Sequence, residues 1–356
     1  MAGYRADEGL AFMLRYENIA WYENGSVRIL DRRCYPAETS FVTCSSHREV
    51  ARAITDMVTQ SAGPYTACGM GMALAAWECR ELDAESRKAY LRAAAGTLSH
   101  ARPTTSGRMG TICRFCLEAA EDALDRGETG IDTVIRDKVV AMNNERYDRF
   151  YSVARHLVGK IPDGGRVLTQ CFGETVVGMM LKVCSEQGKN ISLYCCETRP
   201  YFQGSRLTAT VCSQMGFDTT VITDNMVGYV MENIGIDVFT CASDVITCDG
   251  HVVNKVGTMQ IAVLAKRFGV PVYVTGEPDA GHPDRASVTI EMRDGASVLS
   301  AMGRPTAAEG VRGIYPAFDI TPPELVTGIV TEDGIYGPQD LASFLERRKG
   351  IEEVTI

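Results

Sequence analysis

Residues 162–175 read PDGGRVLTQCFGET, and this stretch decides the fold. The turn signal at 162–165 ends a helical pattern, and the apolar run 167–169 that follows has the length and composition of a buried strand. Gly173 and Glu174 then have the character of a helix start. A strand followed by a short loop and a helix is the repeating unit of a parallel α/β sheet.

The same pattern recurs through the rest of the chain. Short apolar runs separated by helix-like segments lie at residues 167–169, 191–196, 219–222, 238–240 and 272–275. They predict βαβ units and a Rossmann-like parallel sheet, whose ligands bind beyond the carboxyl ends of the strands. No Gly-x-Gly-x-x-Gly fingerprint or P-loop follows any of these runs, which disfavours a dinucleotide or ATP site.

The first part of the chain is mainly helical. After strand-like stretches at 26–30 and 41–43, helical periodicity marks residues 47–59, 67–80, 85–97, 109–126 and 131–158, the last as one or two helices. We therefore predict an α/β protein with two domains. Residues 1–145 form a small, mainly helical N-terminal domain, and residues 146–356 form a Rossmann-like C-terminal domain that carries the chemistry.

Composition and charge exclude several classes of partner. The formal net charge is −9, whereas binding to a nucleic acid needs a concentrated basic face. No apolar run approaches the roughly 18 residues of a membrane span, and no export signal opens the chain. Thirteen cysteines without such a signal indicate reduced thiols and a cytoplasmic protein. Cys113 and Cys116 have no second pair at zinc-site spacing, so no metal site is expected.

Two residues that follow predicted strands carry the candidate chemistry. Cys171 precedes a predicted helix, whose dipole favours a thiolate, although a cysteine in this position is more often a packing residue. Asp244 follows the apolar run IDVFTCAS, where a partly buried carboxylate would have a raised pKa and act as an acid or base near neutral pH. Its alternative role is that of an N-cap or loop carboxylate.

Cationic and amide side chains supply candidate anion ligands. Asn254 and Lys255 precede a predicted helix at 259–268, and together with the amides of the helix start they predict an anion site. Arg102 is a second candidate phosphate ligand, whose alternative role is that of a solvated arginine between helices.

Four motifs in order carry a family resemblance. They are RPT (102–104), ETRPYFQGSRLT (197–208), NKVGT (254–258) and PAFDITP (316–322). Through them the chain resembles the methylthioribose-1-phosphate isomerases, from about residue 18 to about residue 334. Their wider family includes ribose-1,5-bisphosphate isomerase and the regulatory alpha, beta and delta subunits of eukaryotic initiation factor two B.

The resemblance implies a fold, an assembly and a site. The implied fold is a small helical domain before a Rossmann-like domain without a nucleotide, in a homodimer joined mainly through its C-terminal domains. No metal or organic cofactor is implied. The implied catalytic pair is Cys171 and Asp244. The implied substrate contacts come from Arg102, Gln203, Asn254, Lys255 and the loop Ser61, Ala62 and Gly63.

Three departures from the family pattern concern the pocket. The family's Arg-Gly-Ala-Pro loop is replaced by SAGP (61–64), so its arginine is missing. The Ala-Pro-x-Ser-Thr stretch is replaced by GEPDAGH (276–282), and the Asn-x-Gly sequence beside Cys171 by FGE (172–174). Loss of the arginine, together with acidic Glu277, Asp279 and Asp284, disfavours a substrate with a second phosphate.

The activity implied by the resemblance is the conversion of an aldose 1-phosphate into a ketose 1-phosphate. The first candidate substrate is 5-methylthioribose 1-phosphate, as in methionine salvage, and the alternative is 5-deoxyribose 1-phosphate or another pentose 1-phosphate. The rival from another class is a noncatalytic regulatory protein on the same fold. The presence of both Cys171 and Asp244 argues against that rival.

Overall fold

The computed structural model describes residues 4–102 and 106–347. Pro103 and Thr104 of the RPT motif lie outside the described residues. The chain divides into two compact units, an N-terminal unit that ends at Asp148 and a C-terminal unit that begins at Arg149.

The N-terminal unit combines a small antiparallel sheet, of order β1-β2-β3, with helices. Its elements are α1 (Tyr16–Ile19), β1 (Ala20–Glu23), β2 (Ser26–Leu30), β3 (Phe41–Cys44), α2 (His47–Thr55), α3 (Gly63–Glu78), α4 (Ala84–Ser99), α5 (Ser106–Asp125) and α6 (Ile131–Val158). All the predicted helices are present, and residues 131–158 form one continuous helix whose end extends past the division.

Helix α3 is the core element of the N-terminal unit because nearly all of its residues are buried. A Cβ atom at Gly69 would lie 2.6 Å from a Cγ atom of Val139 on α6, so this close approach requires glycine. Asp83 is the N-cap of helix α4, and its carboxylate accepts the amide N–H of Ser86. Such a cap contributes about 1 kcal/mol to helix stability.

The C-terminal unit alternates strands and helices, as the sequence predicts. Its elements are β4 (Arg166–Thr169), α7 (Glu174–Glu186), β5 (Ser192–Cys196), α8 (Ala209–Gln214), β6 (Asp218–Ile222), α9 (Val227–Asn233), β7 (Val238–Ala242), β8 (Val245–Ile246), β9 (Val252–Lys255), α10 (Thr258–Phe268), β10 (Val272–Thr275), β11 (Met292–Arg293), β12 (Ser300–Ala301), β13 (Arg304–Pro305), β14 (Tyr315–Pro316), β15 (Phe318–Thr321), β16 (Gly328–Thr331), β17 (Gly334–Tyr336) and α11 (Leu341–Arg347). A π-helical turn, Gly204–Thr208, precedes α8. Across the described residues of both units, no helix combines the length and the hydrophobicity needed to cross a membrane.

Seven strands form the main sheet, in the order β17-β16-β10-β7-β4-β5-β6. All neighbouring pairs are parallel except β16 with the edge strand β17. The chain runs from β4 through β5 to the edge strand β6. It then returns, and β7 pairs with β4 on the side opposite β5. The strand order therefore reverses between β4 and β7, which is the switch point at which doubly wound sheets bind ligands. The predicted α/β fold is confirmed, and all five predicted strands of this sheet are present.

A smaller antiparallel sheet, of order β15-β9-β8, lies in the same unit. Residues 252–255, which the sequence suggested only as the approach to a helix, form its central strand β9. Pairing places Asn254 opposite Asp319 and Lys255 opposite Phe318. The small sheet therefore unites residues of the NKVGT and PAFDITP motifs, which are far apart in sequence.

Candidate active site

Cys171 and Asp244 follow the two strands at the switch point. Strand β4 ends at Thr169 and β7 ends at Ala242, so each candidate lies two residues beyond its strand. Thr169 is paired in register with Thr240, which brings the two chain segments to the same edge of the sheet. The charge of Asp244 raises the pKa of the Cys171 thiol, after the larger effects of burial and Lys255. The structure thus brings the predicted pair together.

The Cys171 side chain is a thiol at neutral pH. Burial raises its pKa to about 11, and the charge of Asp244 acts in the same direction, while Lys255 and Arg293 oppose the shift. The helix dipole, which we expected to favour a thiolate, is therefore outweighed, because the cost of burying a negative charge exceeds the attraction of the nearby positive groups. Cys171 is thus poised to donate a proton.

Asp244 lies at the bend between β7 and β8. Its main-chain N–H donates a hydrogen bond to the carbonyl of Val253 on β9 at 2.9 Å, which ties this residue to the strand of Asn254 and Lys255. The expectation of a partly buried side chain is wrong, because the bend carries Asp244 past the covered edge of the sheet and leaves it exposed. A substrate above the switch point can therefore reach its carboxylate.

Asn254 and Lys255 are buried on β9. The Nδ2 of Asn254 donates to Thr258 Oγ1 at 3.0 Å, and the Nζ of Lys255 donates to the carbonyl of Ala317 at 3.0 Å. The Lys255 ammonium also lies 4.9 Å from the ring centroid of Phe318. Burial lowers the pKa of Lys255, whereas the charge of Asp244 acts in the opposite direction. The Lys255 side chain therefore lies beside the two candidate residues.

The start of helix α10 is not an open anion site. The Asp319 carboxylate accepts the N–H of Gly257 at 2.7 Å and that of Met259 at 3.2 Å. The prediction that these amides bind an anion is therefore wrong. The pairing of β15 with β9 places the carboxylate of Asp319 at the helix start, where it accepts the N–H groups itself. These two amides are therefore not available to a phosphate.

Gln203 lies in the segment that follows β5. Asp224 fixes the beginning of this segment, since its two carboxylate oxygens accept the N–H groups of Thr198 and Arg199, each at 2.8 Å. The Oε1 of Gln203 is buried and has no hydrogen-bond partner among the described residues. Buried polar atoms are normally paired, so this oxygen is well suited to a contact supplied by a ligand. The π-helical turn that begins at the next residue is a feature frequent at functional sites.

The remaining predicted contacts belong to the N-terminal unit. Arg102 is half-buried after the end of α4, and Ser61, Ala62 and Gly63 lead into α3. Ser61 has a left-handed main chain, with φ of 58°. Sequence reasoning missed Arg32 beside this loop: it is fully buried, and its guanidinium donates to the carbonyl of Gln60 at 2.7 Å. A buried guanidinium therefore supports the loop from within.

Arg293 is a further charged group that the sequence did not reveal. Its charge lowers the pKa values of both Cys171 and Lys255, although burial and other neighbours have larger effects on these values. Its Nε donates to Glu291 Oε1 at 2.9 Å, and its guanidinium lies 5.7 Å from the Phe318 ring. No periodic pattern marks this part of the chain, so only tertiary structure could place Arg293 at the site.

The acidic residues after β10 serve partly to shape their own loop. Asp279 accepts the N–H of Gly281 at 2.8 Å, and Asp284 accepts that of Ser287 at 3.0 Å. Both side chains are exposed. Within the described residues, no group of three or more His, Cys, Asp or Glu side chains is arranged to hold a metal ion. Cys113 and Cys116 are buried core residues of α5.

The sequence and the fold correspond to those of a known family. The chain belongs to the initiation factor 2 subunit family, whose model matches residues 67–338. A methylthioribose-1-phosphate isomerase from Roseiflexus castenholzii is 35% identical over 333 residues, which cover 89% of this chain and 94% of that protein.

Two crystal structures extend the comparison. The 5-methylthioribose 1-phosphate isomerase from Pyrococcus horikoshii superposes with a TM-score of 0.82 and 28% identity, covering 93% of this chain and 96% of that one. Translation initiation factor eIF-2B, subunit delta, from A. fulgidus gives a TM-score of 0.79 and 30% identity, covering 92% and 99%. Relatives named as an enzyme and as a translation factor thus share this fold.

Proposed function

We propose that this protein is a methylthioribose-1-phosphate isomerase that converts the aldose 1-phosphate into the corresponding ribulose 1-phosphate. The observation that carries the proposal is the placement of Cys171 and Asp244 beyond neighbouring strands at the switch point of the sheet. It is supported by 35% identity to a named isomerase along nearly the whole of that protein. A proton donor and a proton acceptor at this place have a use in catalysis that a regulatory subunit does not need.

The two side chains have complementary roles in the proposed reaction. The anomeric oxygen of an aldose 1-phosphate is esterified, so the ring cannot open without help. The Cys171 thiol gives its proton to the ring oxygen as the bond from C1 to that oxygen breaks. Asp244 takes the proton of the C2 hydroxyl as the C2 carbonyl forms and the C2 hydrogen reaches C1, either as a hydride or through an enediol. Return of the proton from Asp244 to Cys171 completes a net isomerisation.

Side chains hold the substrate in this proposal, because Asp319 already occupies the amides at the start of α10. Lys255 uses one N–H on Ala317, and an ammonium group has three donors. Charge-assisted hydrogen bonds to phosphate from Lys255 and Arg102 anchor the substrate. Gln203 and Asn254 contribute polar contacts, and Ser61, Ala62 and Gly63 are further proposed substrate contacts.

A second candidate substrate is favoured by the changed pocket loops. Ser61 replaces the arginine of the family loop, and the acidic residues Asp279 and Asp284 are exposed after β10. Both changes favour a singly phosphorylated sugar over a bisphosphate, and neither favours an apolar 5-methylthio group. 5-Deoxyribose 1-phosphate or another pentose 1-phosphate is therefore the alternative, and identity to named isomerases ranks methylthioribose 1-phosphate first.

We further propose that the N-terminal domain ends near residue 145. We also propose that the protein is cytoplasmic. Its proposed assembly is a homodimer joined mainly through the C-terminal domains. The division into units after Asp148 supports the domain boundary. All thirteen cysteines are free thiols, which supports a reducing compartment. Light scattering tests the assembly, for which we expect twice the chain mass of 38.8 kDa.

The experiment that tests the activity offers the purified protein three substrates separately: methylthioribose 1-phosphate, 5-deoxyribose 1-phosphate and ribose 1,5-bisphosphate. Carbon NMR detects the new C2 carbonyl directly. We expect the highest kcat/KM for methylthioribose 1-phosphate and the lowest for the bisphosphate. Absence of a ketose product from all three sugars would contradict the proposed reaction class.

A further inference from the structure

Threonine hydroxyls hold both main-chain polar groups of Cys171. The N–H of Cys171 donates to Thr198 Oγ1 at 3.0 Å, and its carbonyl accepts from Thr208 Oγ1 at 2.5 Å. Both threonines are fully buried. Side chains of a single segment, 197–208, thus fix the peptide groups on either side of Cys171. This segment follows β5, and β5 is the neighbour of β4, the strand that precedes Cys171.

This double contact coincides with an unfavourable main-chain conformation. Cys171 has a φ of 62°, in the left-handed region that residues with a side chain seldom adopt. Such conformations persist only where the surroundings enforce them, and they cluster at active sites. The two threonine hydroxyls restrain the left-handed conformation of Cys171, because together they fix the orientations of both of its peptide groups.

The threonine segment is itself tightly anchored. The Thr198 N–H donates to Asp224 Oδ1 at 2.8 Å, and its hydroxyl lies 3.1 Å from the carbonyl of Cys196, to which it can donate while it accepts from Cys171. A Cβ atom at Gly204 would lie 1.7 Å from that same carbonyl, so only glycine allows the π-helical turn to pack this closely. This packing brings Thr208 back to Cys171.

We propose that Thr198 and Thr208 are positioning residues for the Cys171 thiol. They hold its main chain in the left-handed conformation that aims the sulfur toward Asp244 and Lys255. This role rests on the proposed function of Cys171 as the proton donor. It also links the thiol to the proposed substrate contacts, because Gln203 lies between the two threonines in the same segment and its buried Oε1 has no hydrogen-bond partner in the part of the chain that the structure describes.

The test removes each hydroxyl with little change of shape. Thr198→Val and Thr208→Val delete the hydrogen bonds, and Thr198→Ser and Thr208→Ser retain them. Thr210→Val is the matched control, since its hydroxyl donates to the carbonyl of Arg206, four residues earlier, at 2.7 Å. We expect the first two valine variants to lose up to about 100-fold in kcat, the scale for misplacing a reacting group by about 1 Å, with KM changed far less. The serine variants and the control should stay near wild type.

A second readout does not depend on turnover. The rate of Cys171 alkylation by iodoacetamide, followed by peptide mass spectrometry, should change in the first two valine variants and not in Thr210→Val. Amide hydrogen exchange of Cys171 in the wild-type protein needs no variant at all, and we expect it to be slow. Fast exchange there, or folded valine variants with control-like kcat and alkylation, would overturn the positioning role.

The outcomes separate this inference from the proposed function. If the wild-type protein isomerises no sugar phosphate but the alkylation rate responds to loss of the threonine hydroxyls, the positioning role stands and the function fails. If turnover is present and indifferent to both hydroxyls, the function stands and the positioning role fails.

Discussion

Cys171 and Asp244 occupy equivalent positions on neighbouring parallel strands, each two residues beyond the last residue of its strand. The main chain of each is fixed independently of its side chain. The N–H of Asp244 donates a hydrogen bond to the carbonyl of Val253. The N–H of Cys171 donates to the hydroxyl of Thr198, and its carbonyl accepts from the hydroxyl of Thr208. Substitution of either side chain therefore tests its chemistry with little disturbance of the fold.

Asp244→Asn removes the proposed proton acceptor and leaves the main-chain bond to Val253 in place. We expect kcat to fall at least about 100-fold, the usual scale for a lost acid or base. The melting temperature should hardly change, because the side chain is exposed. Asp249→Asn, another exposed carboxylate on the following turn, is the control. Equal turnover in the two variants would remove Asp244 from the mechanism.

The ionisation of Cys171 makes a prediction about pH. With a pKa raised to about 11 by burial and by Asp244, only roughly one thiol in ten thousand is ionised at pH 7. Alkylation of Cys171 should therefore be slow at neutral pH and rise about tenfold per pH unit up to the pKa. Peptide mass spectrometry resolves this cysteine from the others, and the urea-unfolded protein is the control. A rate that levels off below pH 8 would instead indicate an activated thiolate.

Asp319 makes a prediction about stability. Its carboxylate accepts two N–H groups at the start of α10, so Asp319→Ala leaves both amides without this acceptor. We expect the free energy of unfolding to fall by at least about 1 kcal/mol, as for a lost helix cap or a charged hydrogen bond. Chemical denaturation measures the loss. Glu324→Ala, at an exposed position, is the control, and an equal effect in both variants would show that the cap contributes nothing.

Ser61 tests the substrate pocket. Ser61→Arg restores the charge of the family loop, and we expect it to raise kcat/KM for ribose 1,5-bisphosphate relative to methylthioribose 1-phosphate. Ser61→Gln, with a long but neutral side chain, separates charge from size. One charge-assisted contact is worth about 1.5–3 kcal/mol, which corresponds to a change of at least about tenfold. An unchanged preference in Ser61→Arg would show that this loop does not contact substrate.

The sequence predicted the main sheet well because its strands are short apolar runs with turn residues at both ends. Strand β9 was missed because its four buried residues, VVNK, include an amide and an amine that normally indicate a loop. Strand β16 lies in the sheet, yet its sequence GIVT follows the long segment after β10 that shows no periodicity. Their places are determined by tertiary pairing, which no local pattern encodes.

The sequence named the candidate site residues but gave no information on the electrostatics around them. Cys171, Asp244, Asn254 and Lys255 could be named because each follows or precedes a recognisable element. The raised pKa of Cys171 could not be predicted from the sequence, because it depends on the burial of the sulfur and on a carboxylate more than seventy residues away. Occupation of the α10 amides by Asp319 likewise depends on the pairing of β15 with β9.

The central claim is that the protein isomerises methylthioribose 1-phosphate by means of the Cys171 thiol. The most direct test measures kcat of the wild type, Cys171→Ser and the control Cys248→Ser, with ketose formation followed by carbon NMR. We predict turnover in the wild type and in Cys248→Ser, and a loss of at least about 100-fold in Cys171→Ser. Wild-type turnover that survives intact in Cys171→Ser would contradict the account.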